Sequence, residues 1–139
     1  MNTAGLVLAF SLLTGGALAQ AAGALPVMPP AESAELAAKG DRCVLTWAGK
    51  NGREELAVGI PFPCAFHREP GGAVRYHLMG SRRLALIEHS TPDPARGGCL
   101  TTIRGVAFDG VAVALSPGLE KVAACPPFRW DEKMFIGLF

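Results

Sequence analysis

The chain is 139 residues long with a formal net charge of +1, which leaves room for one domain and supplies no strong global field to select nucleic acid or an acidic membrane. The first 31 residues hold no charged side chain, so all of the 13 basic and 12 acidic residues lie from Glu32 onward. Beyond the leader, no uncharged stretch reaches the roughly 20 residues that a membrane helix needs.

Residues 6–13 (Leu-Val-Leu-Ala-Phe-Ser-Leu-Leu) form a short apolar core, Gly15-Gly16 breaks any helix there, and Ala17-Leu18-Ala19 puts small residues where a signal peptidase requires them. The expectation is a secretory signal peptide over residues 1–19, cut before Gln20, although the only positive charge ahead of its core is the α-amino group. An uncleaved anchor is the competing reading, and the short core and the Gly pair disfavour it. Residues 20–40 read as a flexible arm with a short helix. Residues 20–30 are mostly Ala, Gly and Pro, and residues 31–39 combine good helix formers with early acids, a late Lys and a stop at Gly40.

From Arg42 the hydrophobic period changes from helical to alternating, and residues 41–139 read as a single disulfide-linked β domain. Cys43, Leu45 and Trp47 face one way and Val44 and Thr46 the other. Lys50-Asn51-Gly52-Arg53 is a hairpin turn, with residues 56–60 as the return strand. A short strand covers residues 64–68, and Pro70-Gly71-Gly72 turns it. Residues 73–79 alternate with Val74, Tyr76 and Leu78 inward and Arg75 and His77 outward. Residues 84–89 form a more buried strand, and residues 91–98 the longest loop within the domain. Two strands, 99–104 and 106–108, are separated by Gly105, and Asp109-Gly110 turns into a strand over 111–115. A further short strand covers 122–125. Seven to nine short strands at this spacing predict an all-β fold, a small antiparallel sandwich or barrel.

Four cysteines, Cys43, Cys64, Cys99 and Cys125, all fall in the mature part. An exported chain meets an oxidising compartment, so disulfides are expected, and four cysteines admit three connectivities. The preferred one is Cys43–Cys64 with Cys99–Cys125. A zinc site is disfavoured because no two cysteines have C-x2-4-C spacing and His67, His77 and His89 are irregularly placed. No cofactor motif is present, and neither cofactor nor metal is expected.

Two segments stand out as candidate binding surfaces. Arg68, Arg75, Arg82 and Arg83 fall on or between neighbouring strands with His67 and His77, either as a solvated sheet face or as a basic patch for an acidic partner. The last twelve residues hold Phe128, Trp130, Phe135 and Phe139 around Asp131-Glu132-Lys133, either as a closing strand with Trp130 over the sheet or as an exposed aromatic-acidic lip. Candidate binding residues are therefore Trp130, Asp131, Glu132, Phe135, Arg75, His77, Arg82 and Arg83. No catalytic constellation is legible: the serines lack a nucleophile elbow, and the paired carboxylates Glu54-Glu55 and Asp131-Glu132 would point to opposite faces of a strand.

The reading that follows is a small exported binding protein, periplasmic or secreted, of the inhibitor or immunity type, occluding an envelope-acting enzyme. Its expected partner is another exported protein, with no nucleic acid and no membrane span after signal cleavage. One alternative is a small periplasmic hydrolase or metal-dependent enzyme, which would need His67, His77 or His89 to meet a carboxylate such as Glu88 in a pocket. The other is an envelope assembly or structural component that uses sheet edges and the aromatic tail.

Overall fold

A computed structural model of the protein describes residues 30–139. The expected signal peptide and residues 20–29 of the N-terminal arm lie outside the described residues. In chain order the elements are α1 (Pro30–Ser33), β1 (Glu35–Lys39), β2 (Arg42–Gly49), β3 (Gly52–Pro61), β4 (Ala65–Phe66), β5 (His77–Met79), β6 (Arg82–Asp93), β7 (Gly98–Asp109), β8 (Ala112–Leu115), β9 (Glu120–Val122) and α2 (Glu132–Gly137). They make an antiparallel sandwich. One sheet has the order β1-β2-β3; the second runs β4-β6-β7-β8, with β5 added to β6 and β9 to β7.

The first sheet grows from alternation. Cys43, Leu45 and Trp47 of β2 and Val58 and Ile60 of β3 are buried against Ala85 and Ile87 of β6 and Val106 and Phe108 of β7. This is the core between the sheets. Hairpin β2–β3 closes on the pair Gly49–Gly52, so its turn is Lys50-Asn51, and the positive φ of 116° falls on Gly52.

The helix expected over residues 31–39 is cut to Pro30–Ser33, and Glu35–Lys39 is instead strand β1, paired antiparallel with Arg42–Thr46 of β2. Helix propensity is a weak prior, and pairing with β2 satisfies this backbone while placing Leu36 against the core. The loop expected over residues 91–98 shrinks to residues 94–97, because β6 and β7 stay paired out to Asp93 and Gly98. Pro92 is tolerated there near the end of its strand. Gly105 does not divide two strands: β7 runs unbroken through it.

The absence of a side chain at Gly105 makes room for the C-terminus. A Cβ there would stand 2.7 Å from the Phe139 ring and 3.2 Å from Ser116 Cβ. Gly105→Ala is expected to push the ring off and cost about 1–2 kcal/mol, the scale of mild overpacking. In a Phe139→Ala background most of that cost should vanish, and urea denaturation of the four variants of the cycle checks it.

Alternation also explains a second core. Leu84 and Leu86 of β6 and Ile103 and Ala107 of β7 face away from the first sheet, and the C-terminal segment covers them. Phe135, 1% exposed, is its centre, with Met134, Leu138, Trp130, Val122 and Met79 around it. The last residues are therefore not a closing strand. Asp131 caps α2 by accepting from the Met134 backbone N–H, and Glu132 in the first turn suits the helix dipole.

The disulfides are Cys43–Cys64 and Cys99–Cys125. The first ties β2 to the residue before β4, and so one sheet to the other. The second ties β7 to the start of the C-terminal segment. Two such crosslinks fit an oxidising compartment. No helix among the described residues is long and apolar enough to cross a membrane.

Candidate functional site

The candidate site lies where three stretches meet on the outer face of the second sheet. Leu84, Leu86 and Glu88 share one face of β6, because side chains of a strand alternate. The first two are core residues, so Glu88 is carried into the same layer. His67 follows β4 and donates its backbone N–H to Leu86 O at 2.9 Å, which seats it beside Glu88. Its Nδ1 stands 3.0 Å from Glu88 Oε1, and the side chains are only 4% and 10% exposed. From above, Trp130 Nε1 donates to the same Glu88 oxygen.

Burial disfavours charge on both partners, so a neutral hydrogen bond suits this contact better than an ion pair. Burial pushes the Glu88 carboxyl up from 4.5 to about 7, and the Trp130 hydrogen bond offsets only part of that push. Burial also holds His67 below the ordinary imidazole value; the Arg75 guanidinium adds to this lowering, and Glu69 works against it. With Glu88 protonated and His67 neutral, the acid O–H can donate to Nδ1 while its oxygen accepts from Trp130. All three polar groups are then satisfied without a buried charge.

Arg75 supports the same arrangement. It donates to the Trp130 carbonyl at 2.7 Å, lies 3.4 Å from Glu69, and sits 5.4 Å over the Phe135 ring. His67 and His77 both lean on Phe135, with ring centroids 6.1 Å away in each case. Phe128 stacks on Trp130 at 4.8 Å.

The register of the segment after β4 decides which side chains meet. Arg68 pairs with Val74, so five residues make the turn. Phe66, Val74 and Tyr76 then face the inter-sheet core, whereas His67, Arg75 and His77 share the opposite face. Arg75 and His77 are thus half-buried, not pointing into solvent as expected, because the C-terminal segment covers that face too. Leu78, expected inward, is 69% exposed. It has the inward parity but lies beyond the reach of the first sheet.

The basic patch does not assemble. Arg82 and Arg83 are sequence neighbours on β6 and point to opposite faces: Arg82 contacts Met79 Sδ, and Arg83 lies 3.7 Å from Glu32. Arg68 donates to Gly72 O, and Arg75 turns under Trp130. The exposed aromatic-acidic lip is also corrected, since Phe135 is core and Trp130 half-buried. What remains outward is Asp131, Glu132, Lys133 and Ile136. Of these, Asp131 and Lys133 border a 280 Å³ groove between β9 and α2, with Glu120 on its far side and Met134, Gly137 and Leu138 in its wall.

His89 is apart from the cluster, with Nδ1 2.7 Å from Pro63 O. Among the described residues, no three His, Cys, Asp or Glu side chains gather as a metal cage. The other clefts described, of 330, 210 and 420 Å³, have neither His67 nor Glu88 in their walls. Comparison of the chain with protein-family models, curated proteins and solved structures finds no match.

Proposed function

We propose that the protein is a small exported binding protein of the inhibitor or immunity type, which meets its partner through the outer face of its C-terminal segment. The observation that carries this reading is the division of labour within that segment. Phe135, Met134 and Leu138 hold it to the sheet, while Asp131, Glu132, Lys133 and the 43%-exposed Ile136 stand outward, Asp131 and Lys133 at the edge of the groove. An apolar anchor ringed by charge on a rigid support is the usual composition of an interface centre and rim. The Cys99–Cys125 bond at its root and the sheet beneath it support the segment while it is down, which lowers the ordering cost of binding.

The test is capture of envelope enzymes on the mature protein, beside a Glu132→Lys, Ile136→Asp variant. Both substitutions fall on exposed positions and should leave the circular dichroism spectrum unchanged. The expected result is an envelope hydrolase that the wild type binds and inhibits stoichiometrically, with affinity at least about tenfold weaker for the variant, as loss of one interface anchor implies. Capture of the same enzyme by both forms, or binding without inhibition, overturns the reading.

A second reading is favoured by one specific contact. His67 against Glu88 is a histidine–carboxylate pair of the kind used for proton transfer. It would make the protein an acid–base enzyme only if Trp130 and Phe135 moved aside. Turnover of an envelope substrate that is lost in His67→Gln would favour it over the binding role.

A further inference from the structure

We propose that residues 126–139 are a proton-gated cover: the segment stays down on the second sheet while the His67–Glu88 pair carries its proton, and lifts when that proton leaves. The proposal goes beyond the binding role and does not depend on what the outer face of α2 contacts.

The attachment of the segment is the first argument. Its chain enters from Cys125, which is bonded to Cys99, and the neighbouring Ala124 carbonyl accepts from Thr101 Oγ1 at 2.7 Å. That end is fixed. Beyond it, among the described residues, the polar bonds from the segment to the sandwich both run through Trp130: its indole N–H to Glu88 and its carbonyl from Arg75. The rest of the attachment is apolar, through Phe135, Met134, Leu138 and the Phe139 ring on Gly105. One side chain of the sheet, Glu88, therefore sits under the hinge of a cover that is anchored on one side.

The second argument is the charge around Glu88. From the segment after β4 His67 contacts it, with Arg75 and Glu69 beside that imidazole. His77 of β5 and Arg82 of its own strand lie on the same sheet face. The charged residues of the cover, Arg129, Asp131, Glu132 and Lys133, are exposed. On its own cross-strand row lie Ile103 of β7 and Glu120 of β9. Arg104, the charged residue of β7 nearest in sequence, has the opposite parity and lies on the inter-sheet side near Gly59. The nearby cation is thus Arg75, which is shared with Glu69 and the Trp130 carbonyl. Loss of the shared proton leaves a carboxylate walled by Trp130, Leu86 and Ile103 with one neutral indole donor and an imidazole. Lifting the cover brings water to that charge, which burial otherwise penalises.

The sign follows from linkage. In the lifted form Glu88 titrates near its ordinary 4.5, and in the closed form near 7. The closed form holds the proton more tightly, so closure is strongest below 4.5 and weakens as pH rises to about 7, by up to about tenfold per pH unit. His67 acts in the opposite sense: its lowered value makes closure weaken as pH falls below 6.5. Its contribution is fully present above 6.5, so the rise from pH 6.5 to 7 belongs to Glu88 alone.

The experiment is amide hydrogen exchange on the full mature protein at pH 5 and pH 7.5, corrected for intrinsic exchange, with Glu88→Gln beside it. Glutamine can accept from Trp130 and donate to His67 Nδ1 and has no proton to lose. The expected result is a pH 7.5-to-pH 5 ratio of opening, for peptides from residues 126–139, at least about tenfold larger in the wild type than in Glu88→Gln, where only the opposing His67 contribution remains, with β2 and β3 unchanged. The same pH 7.5-to-pH 5 ratio in the wild type and in Glu88→Gln overturns the proposal. Should Glu88→Gln fail to fold, carbon-13 NMR of the wild-type Glu88 carboxyl decides: a midpoint near 7 is expected, and one in the ordinary range of about 4.3 overturns it.

Discussion

Phe135→Ala is expected to destabilise the protein by about 3–5 kcal/mol, the usual cost of deleting a fully buried aromatic ring. Phe135 is 1% exposed and is the largest of the fully buried side chains. Three further contacts go with it: the Arg75 guanidinium over its face, the His67 ring edge-on to it and the tilted His77 ring. Ile136, next to it on α2 and 43% exposed, is the control: Ile136→Ala should change stability by less than about 1 kcal/mol. Because Phe135 holds the cover and not the sandwich, the loss should concentrate in residues 123–139. Chemical denaturation gives the total, and hydrogen exchange gives its location. Uniform loss across both sheets, or a Phe135→Ala variant within 1 kcal/mol of wild type, would contradict the two-core arrangement.

The sandwich was legible because alternation and turn chemistry agreed along most of the chain. Cys43, Leu45 and Trp47 do share the buried face of β2, Asn51-Gly52 and Asp109-Gly110 do lie at hairpin ends, and Val74 and Tyr76 do face the inter-sheet core. Failures came where tertiary pairing outweighed a local signal. Residues 35–39 have the composition of a helix, but a free edge beside β2 takes them as a strand. Pro92 and Gly98 look like loop residues, yet the β6–β7 ladder reaches them because eleven pairs act cooperatively. Aromatic residues near the C-terminus fitted strand or lip equally well in sequence. The helix that forms was signalled by Asp131 ahead of Glu132, a cap followed by an acidic first turn.

The candidate site was half legible for a different reason. Glu88 and His67 were each visible as residues that chemistry could use, and a histidine does meet Glu88, but none of the described clefts holds the pair. What the sequence could not supply was the register: a turn of five residues between Arg68 and Val74, instead of two or four, puts His67, Arg75 and His77 on one face. Nor does any local pattern mark that this face is covered. A strand with one face on a core and the other polar reads as half-exposed, and here Arg75, His77 and Glu88 supply the polar face that the C-terminal segment then seals. The apolar residues Leu84 and Leu86 between the polar positions of β6 were the available signal, since they make β6 apolar on both faces over its middle.

Removing either disulfide should produce the second large effect, with two different spatial signatures. The loops closed span 21 and 26 residues, so the chain-entropy gain from each is about 3 kcal/mol and nearly equal. The positions differ. Cys43 is fully buried and joins the sheets, so Cys43→Ala, Cys64→Ala also leaves a small void in the inter-sheet core and loosens the whole sandwich. Cys99→Ala, Cys125→Ala frees the root of the cover. Its cost should appear first as faster exchange in residues 123–139, with Trp130 losing its seat on Glu88 before β2 and β3 respond. The pH dependence of the cover should persist in the first variant and flatten in the second, because an untethered segment is lifted at either pH. Thermal melts measure the two losses, and exchange at pH 5 and pH 7.5 separates them. Equal protection of the C-terminal segment in both variants would mean that Cys99–Cys125 does not anchor it, and that the apolar contacts of Phe135 suffice.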